Sequence, residues 1–267
     1  MSVLSIDVGL KNLAFCVMSA EDPKDLKSYK IDLWNVYDTL DCGDKHICSC
    51  LKKNGVICGN KGSYKHENEE KQIVYSCKTH FPKDVVITKQ HQVIKKKVDS
   101  YLLQDIAKVV ICKIQDVYDK EIDIFRKLKT IFIELQPRIN ARMKLVSHLI
   151  FGKFCELLKD TDVTIRFVRA SAKLKVDYNG PEIVCKLKSA YARRKFLSIQ
   201  YSKWFLENKF NEEQGRLWSP LLSGKGKADD LADCLLMSIN ALFGIPKKPK
   251  IAKPAKTVKK RRFKKIK

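Results

Sequence analysis

Val3-Leu4-Ser5-Ile6-Asp7-Val8-Gly9-Leu10-Lys11-Asn12-Leu13-Ala14 opens the chain. Its apolar start reads as a buried strand, and Asp7 inside it is the anomaly, because a buried carboxylate is costly unless something pairs with it. The turn Gly9-Leu10-Lys11-Asn12 joins this strand, Val3–Val8, to a second at Leu13–Met18 as a hairpin. A third strand follows at Tyr29–Tyr37. The apolar pattern lapses from Cys42 to Pro82, where Cys, Gly, Lys and Asn cluster, so this stretch reads as an inserted module. Beyond it Val98, Leu102, Ile106, Val109, Val110 and Val117 recur at helical steps. A strand at Thr130–Leu135, stopped by Pro137, precedes a helix from Asn140 to Lys159. A fifth strand at Val163–Val168 and two helices, Lys186–Asn208 and Ala228–Phe243, complete the pattern. Three antiparallel strands followed by alternating helices and strands predict an α/β fold with a mixed five-stranded sheet. The domains are then 1–41 with 83–245, an insertion at 42–82, and a basic tail at 246–267 that reads as disordered.

The charge narrows the function. The 267 residues carry a formal net charge of +23. The tail from Pro246 to Lys267 holds 12 Lys or Arg and no acid, which leaves +11 on the rest. Such an excess favours a polyanionic partner, nucleic acid first. No run reaches the roughly 18 apolar residues of a membrane span. A basic n-region is missing and Asp7 interrupts any apolar h-region, so no secretory signal is expected. Ten cysteines then read as reduced thiols in an intracellular protein, some of them metal ligands.

Two further acidic positions could join Asp7. Glu134 closes the apolar strand Ile131-Phe132-Ile133-Glu134. Lys227-Ala228-Asp229-Asp230-Leu231-Ala232-Asp233 opens the last helix, where Asp230 and Asp233 lie three apart on one face. Asp229 and Asp233 are also one turn apart, so either Asp229 or Asp230 could share a site with Asp233. Carboxylates converging on a very basic chain point to divalent ions acting on a phosphate substrate, since oxygen donors suit magnesium and paired ions clamp the attacking and leaving oxygens. The plainer alternative is a lysine partner for Asp7 and a dipole role for the helix aspartates.

Ile6-Asp7-Val8-Gly9-Leu10-Lys11-Asn12-Leu13-Ala14, Ile133-Glu134-Leu135-Gln136 and the final helix with its aspartates together resemble the RuvC-like Holliday junction resolvases. The most similar branch is that of the poxvirus and other large-DNA-virus resolvases, related to the fungal mitochondrial ones. The resemblance implies an RNase H-like fold, a homodimer, and paired symmetrical nicking of four-way DNA junctions in recombination or viral genome replication. It implies two Mg²⁺ (or Mn²⁺) ions and metal-activated water at each active site. Asp7, Glu134, Asp230 and Asp233 would be the metal-binding catalytic acids. A basic residue near the scissile phosphate is also implied; Lys195 in Tyr191-Ala192-Arg193-Arg194-Lys195 is the first match and Lys173 the second. Lys11, Lys173, Arg193 and Arg194 are candidate DNA contacts.

The insertion carries a different chemistry. Cys48, Cys58, Cys77 and His80 form C-x9-C-x18-C-x2-H, and its closing C-x2-H can bite one tetrahedral Zn²⁺. Few large apolar residues lie between Cys48 and His80, so one structural zinc per chain would staple the segment. Cys50 competes with Cys48, and Cys42 and His66 are weaker substitutes. Cys16, Cys112, Cys155, Cys185 and Cys234 fall in apolar periods and read as core, as do Trp204 and Phe205. Lys95-Lys96-Lys97 adds a third basic cluster, and the tail could serve as a nuclear address or a DNA arm. A nucleus, a viral replication compartment or a mitochondrion all fit. Two competing readings stay open: another RNase H-like nuclease acting on RNA–DNA hybrids, and a non-catalytic DNA-binding protein.

Overall fold

A computed structural model describes residues 1–39, 46–68, 70–93, 100–136, 139–224 and 227–243. Cys42, Lys95-Lys96-Lys97 and the tail 246–267 lie outside the described residues. The strands are β1 (Ser2–Val8), β2 (Asn12–Ala20), β3 (Tyr29–Asp38), β4 (Tyr64–Glu67), β5 (Ile73–Ser76), β6 (Thr130–Leu135) and β7 (Thr164–Arg169). The helices are α1 (Leu103–Lys120), α2 (Ile122–Phe125), α3 (Ala141–Leu157), α4 (Ala190–Asn208), α5 (Glu212–Trp218) and α6 (Ala228–Phe243).

The main sheet runs β3-β2-β1-β6-β7. β2 is antiparallel to both β1 and β3, whereas β1–β6 and β6–β7 are parallel. This is the mixed five-stranded sheet flanked by helices that the sequence reading expects. Because strand side chains alternate in direction, β1 serves two cores at once. Leu4, Ile6 and Val8 join Phe15, Ile131 and Ile133 under α1 and α3, through Ile106, Val110, Ile114, Val146, Ile150 and Phe154. The opposite face sends Val3, Cys16, Met18 and Phe132 against α4 and α6, through Phe205, Leu206, Leu231, Leu235 and Ile239.

Small polar groups fit that second face closely. Ser5 Oγ and Ser238 Oγ are 2.5 Å apart, linking β1 to α6. Trp34 Nε1 donates to Leu231 O at 3.0 Å, linking β3 to the same helix. Gly9 is required at the β1–β2 turn: a Cβ there would lie 2.5 Å from Asn12 O. Helix starts follow capping chemistry. Asn140 accepts from Met143 N before α3, and Asn211 accepts from Gln214 N before α5.

The strands of the main sheet and the long helices match the periodicity, and four details differ. The sequence pattern did not reveal α5, whose Gln214 accepts from Ile31 N and Trp218 Nε1 and so seals the edge at β3. It also did not reveal the β4–β5 hairpin, where only Ser76 is buried and periodicity is weak. The inserted chain stays bonded to that hairpin beyond Pro82, with Val93 N donating to Ser63 O at 3.0 Å. Cys16 and Cys234 are core residues, but Cys112 and Cys155 are exposed on α1 and α3 and Cys185 is half-buried. These helices are amphipathic, and an apolar run does not say which of its members turns outward.

Candidate active site and a cysteine-histidine cluster

The carboxylates meet at one end of the sheet. Asp7 is one step past the Ile6–Ile133 pair of the parallel β1–β6 ladder, so Glu134 comes abreast of it. Both point to the α6 side, continuing the alternation of Val3, Ser5 and Phe132. α6 brings Asp233 over the same end, and the turn after β7 brings Lys173.

Lys173 Nζ lies 2.5 Å from Asp7 Oδ1, 3.0 Å from Glu134 Oε1 and 3.0 Å from Asp233 Oδ2. It is 6% exposed, so this is a buried ammonium within a carboxylate triangle. Gln136 steadies the triangle: its Nε2 donates to Glu134 Oε2 at 2.8 Å. Val8 N donates to the same oxygen at 3.4 Å.

Three negative groups share one positive group, and their protonation reflects it. Burial pushes the Asp7 carboxyl well above its ordinary value; Lys173 opposes this, while Glu134 and Asp233 reinforce it. For Glu134, burial acts upward, but Lys173 and hydrogen bonds from Asp7, Lys173 and Gln136 outweigh it and hold it below its ordinary value. Burial alone would lower Lys173, yet Asp7, Glu134 and Asp233 raise it, so it stays charged.

The other expected residues sit apart from this trio. Lys195 pairs with Asp229 and lies 4.9 Å from the Tyr191 ring centroid. Lys195 is therefore tied to the helix start, and Lys173 is the lysine that reaches Asp7, Glu134 and Asp233. α4 and the turn after β7 each supply a lysine, and only their tertiary placement separates them. Asp230 is near Lys227 Nζ at 3.9 Å, and burial followed by the Asp229 charge raises its pKa. Asp229 moves the other way, because Lys195 outweighs burial. Lys11 pairs with Asp38 at 3.3 Å. Arg193 and Arg194 are exposed near the start of α4. Phe205 is buried, whereas Trp204 is half-buried with its ring against Tyr178.

The insertion gathers Cys48, Cys58, Cys77 and His80, with all four ligand atoms within 4.8 Å of one another. His80 Nδ1 is 3.5 Å from Cys48 Sγ and 3.4 Å from Cys77 Sγ, and Cys58 Sγ is 4.0 Å from Cys77 Sγ. A tetrahedral zinc with ordinary bond lengths separates its S and N ligands by about 3.5–3.8 Å, so the donor set fits. Burial works against a Cys48 thiolate, but the backbone N–H groups of Cys77 and Cys50 outweigh it and lower its pKa. Positive φ at Gly55 and Gly59 permits the tight turns around Cys58. Cys50 stays outside the cluster, with its Sγ 3.8 Å from His80 O. His66 packs instead on Phe81, ring centroids 5.5 Å apart.

Residues 3–123 match the family described as mitochondrial resolvase Ydc2 / RNA splicing MRS1. This match agrees with the RuvC-like resemblance read from the sequence, and it is confined to the N-terminal part of the chain. Uncharacterized protein L451 of Acanthamoeba polyphaga mimivirus is 29% identical over 238 residues, covering 79% of this chain and 53% of that protein. The chain thus spans about half the length of the curated relative it matches. Two solved structures are also similar. Fowlpox virus resolvase with substrate Holliday junction DNA aligns over 91% of this chain and 97% of its own, at 11% identity and a TM-score of 0.41. T. thermophilus RuvC with a Holliday junction substrate aligns over 91% and 94%, at 9% identity and a TM-score of 0.37.

Proposed function

We propose that the protein is a Holliday junction resolvase, a divalent-metal-dependent endodeoxyribonuclease that nicks four-way DNA junctions in symmetrical pairs as a homodimer. One observation carries this reading: Asp7, Glu134 and Asp233, from three separate segments, converge on Lys173 at one end of the sheet. A carboxylate triangle of hard oxygen donors with one ammonium among them fits magnesium or manganese. Asp7, Glu134 and Asp233 would hold the ions, with Asp230 as the fourth acid one turn earlier on α6. Bound there, a pair of divalent ions supplies the charge that activates water and stabilises the leaving oxygen. Lys173 brings a fixed positive charge to the same place, suited to charge developing on phosphoryl oxygens. Gln136 and Val8 N hold Glu134 in orientation. Exposed Arg193 and Arg194, with Lys11, would meet phosphates away from the cut. Cys48, Cys58, Cys77 and His80 would hold one structural zinc, since four protein ligands leave no open position.

The family description also includes an RNA splicing protein, which favours a second reading as a non-catalytic nucleic-acid binder. Three converging carboxylates weigh against it, because acids repel a polyanion unless cations intervene. The deciding test is cleavage of a labelled four-way junction with Mg²⁺ by wild type and Asp7→Asn, alongside linear duplex and RNA–DNA hybrid. Paired nicks from wild type and none from the variant support the resolvase. Cleavage of the hybrid alone moves the substrate to RNA–DNA. Equal binding with no cleavage by either protein leaves the binder.

A further inference from the structure

The cysteine-histidine cluster holds up a hairpin that the catalytic reading does not use. Cys58 N donates to Cys50 O at 2.8 Å and Lys52 N to Val56 O at 2.8 Å, while Gly55 N closes the tip on Lys52 O at 2.9 Å. Leu51 and Ile57 are bridge partners across this hairpin, so their side chains share a face. They are 62% and 59% exposed, and Val56 beside them is 57% exposed. Three large apolar side chains held outward in so small a unit are not needed for its folding, which the cluster supports. Charge gives their surroundings a sign: from His46 to His66 the chain carries Lys52, Lys53, Lys61 and Lys65 and no acid. The cluster itself would contribute about one negative charge, with three thiolates on one Zn²⁺, and the lysines outnumber it.

Topology also places the root of this unit. Asp38, the last residue of β3, pairs with Asn12, at the same end of the sheet as Asp7. The parallel strands β6 and β7 finish at that end with Glu134 and Arg169. The inserted chain therefore departs from the catalytic end.

We propose that the Cys50–Cys58 hairpin is a second nucleic-acid contact. Lys52 and Lys53 at its tip engage backbone phosphates, and the Leu51–Ile57 face lies against bases exposed where duplex stacking is interrupted. Phosphate contacts position and apolar side chains read or wedge unstacked steps, so the two features have separable consequences. This inference rests on the proposed DNA substrate and on zinc occupying the cluster.

The experiment measures fluorescence-anisotropy binding of a four-way junction and of its linear duplex across a salt series, without magnesium, with the full chain in the Asp7→Asn background. Lys52→Ala/Lys53→Ala is expected to weaken both ligands and to reduce the slope of log K against log salt by about 2, as loss of two phosphate contacts requires. Leu51→Ser/Ile57→Ser is expected to weaken junction binding several-fold more than duplex binding with the slope unchanged. Zinc content and circular dichroism equal to the parent establish that both variants are folded. Parental affinity and slope in both variants overturn the inference even if wild type cuts junctions. Loss of dimer mass in Leu51→Ser/Ile57→Ser with junction affinity unchanged overturns it in favour of a protein contact. If wild type cuts no DNA but binding still depends on the hairpin, the inference stands and the nuclease reading falls.

Discussion

The two candidate metal sites are assembled in opposite ways. The carboxylate site draws on positions 7, 134, 173 and 233, carried to one place by a sheet with a hydrophobic core on each face. The cysteine-histidine site is built within 48–80, and its own buried cluster consists of Cys48, Cys58 and Cys77. In the first, the fold holds the carboxylates and a lysine lies among them. In the second, the ligands make most of the local core, and an ion would hold the fold. Removing metal should therefore leave the first region standing and collapse the second.

The largest expected effect is on the insertion. Structural zinc contributes on the order of 10 kcal/mol of apparent binding free energy to small zinc-bound units. Cys58→Ser, or treatment with a strong chelator, is expected to expose residues 46–93 to protease while the sheet domain keeps its melting transition. Joint loss of both regions would erase the distinction. Next is Asp7→Asn, expected to lower junction cleavage by roughly 10³-fold or more, because groups acting as a unit fail together. Its melting temperature should stay near wild type, since Glu134 and Asp233 still pair with Lys173 and both β1 cores are untouched. Third is Lys173→Met in divalent-free buffer, which leaves three carboxylates without their ammonium. It should cost about 3 kcal/mol in urea unfolding, as breaking a buried ion pair does, and added magnesium should restore part of it. Magnesium recovery in the variant but none in wild type would sharpen the view that lysine and metal meet the same charge.

The smallest effect belongs to Lys195→Ala. The Lys195–Asp229 pair is partly exposed, with side chains 34% and 18% accessible, and screened pairs contribute about 0–1 kcal/mol. Cleavage should fall by less than tenfold, roughly 1.4 kcal/mol, whereas Lys173→Met should be far worse. A reversed ranking in single-turnover cleavage would return the phosphate-side role to Lys195.

Features set by local chemistry were legible in the chain. Asp7 stood out because a carboxylate amid Val3, Leu4, Ile6 and Val8 conflicts with burial unless partnered. The cysteine-histidine cluster was legible down to the choice between Cys48 and Cys50, because C-x2-H is a local chelate. The succession of strands and long helices along the chain followed from their apolar periodicity. Helix α5 was not legible, since Glu212-Glu213-Gln214-Gly215-Arg216-Leu217-Trp218 buries only Gln214 and Gly215 and its role is to bond β3. The β4–β5 hairpin was hidden for a similar reason, having little apolar alternation to read.

The amino-acid sequence by itself determined which residues have to be reconciled with burial or with metal: the strand carboxylates, the paired helix aspartates and the thiol-imidazole set. Tertiary structure alone decided their partners. It set Lys173, not Lys195, among Asp7, Glu134 and Asp233, and gave Lys195 to Asp229. The reason is physical: propensity, periodicity and chelate spacing act within a few residues, whereas the choice between two lysines depends on how the turn after β7 and helix α4 pack on the sheet.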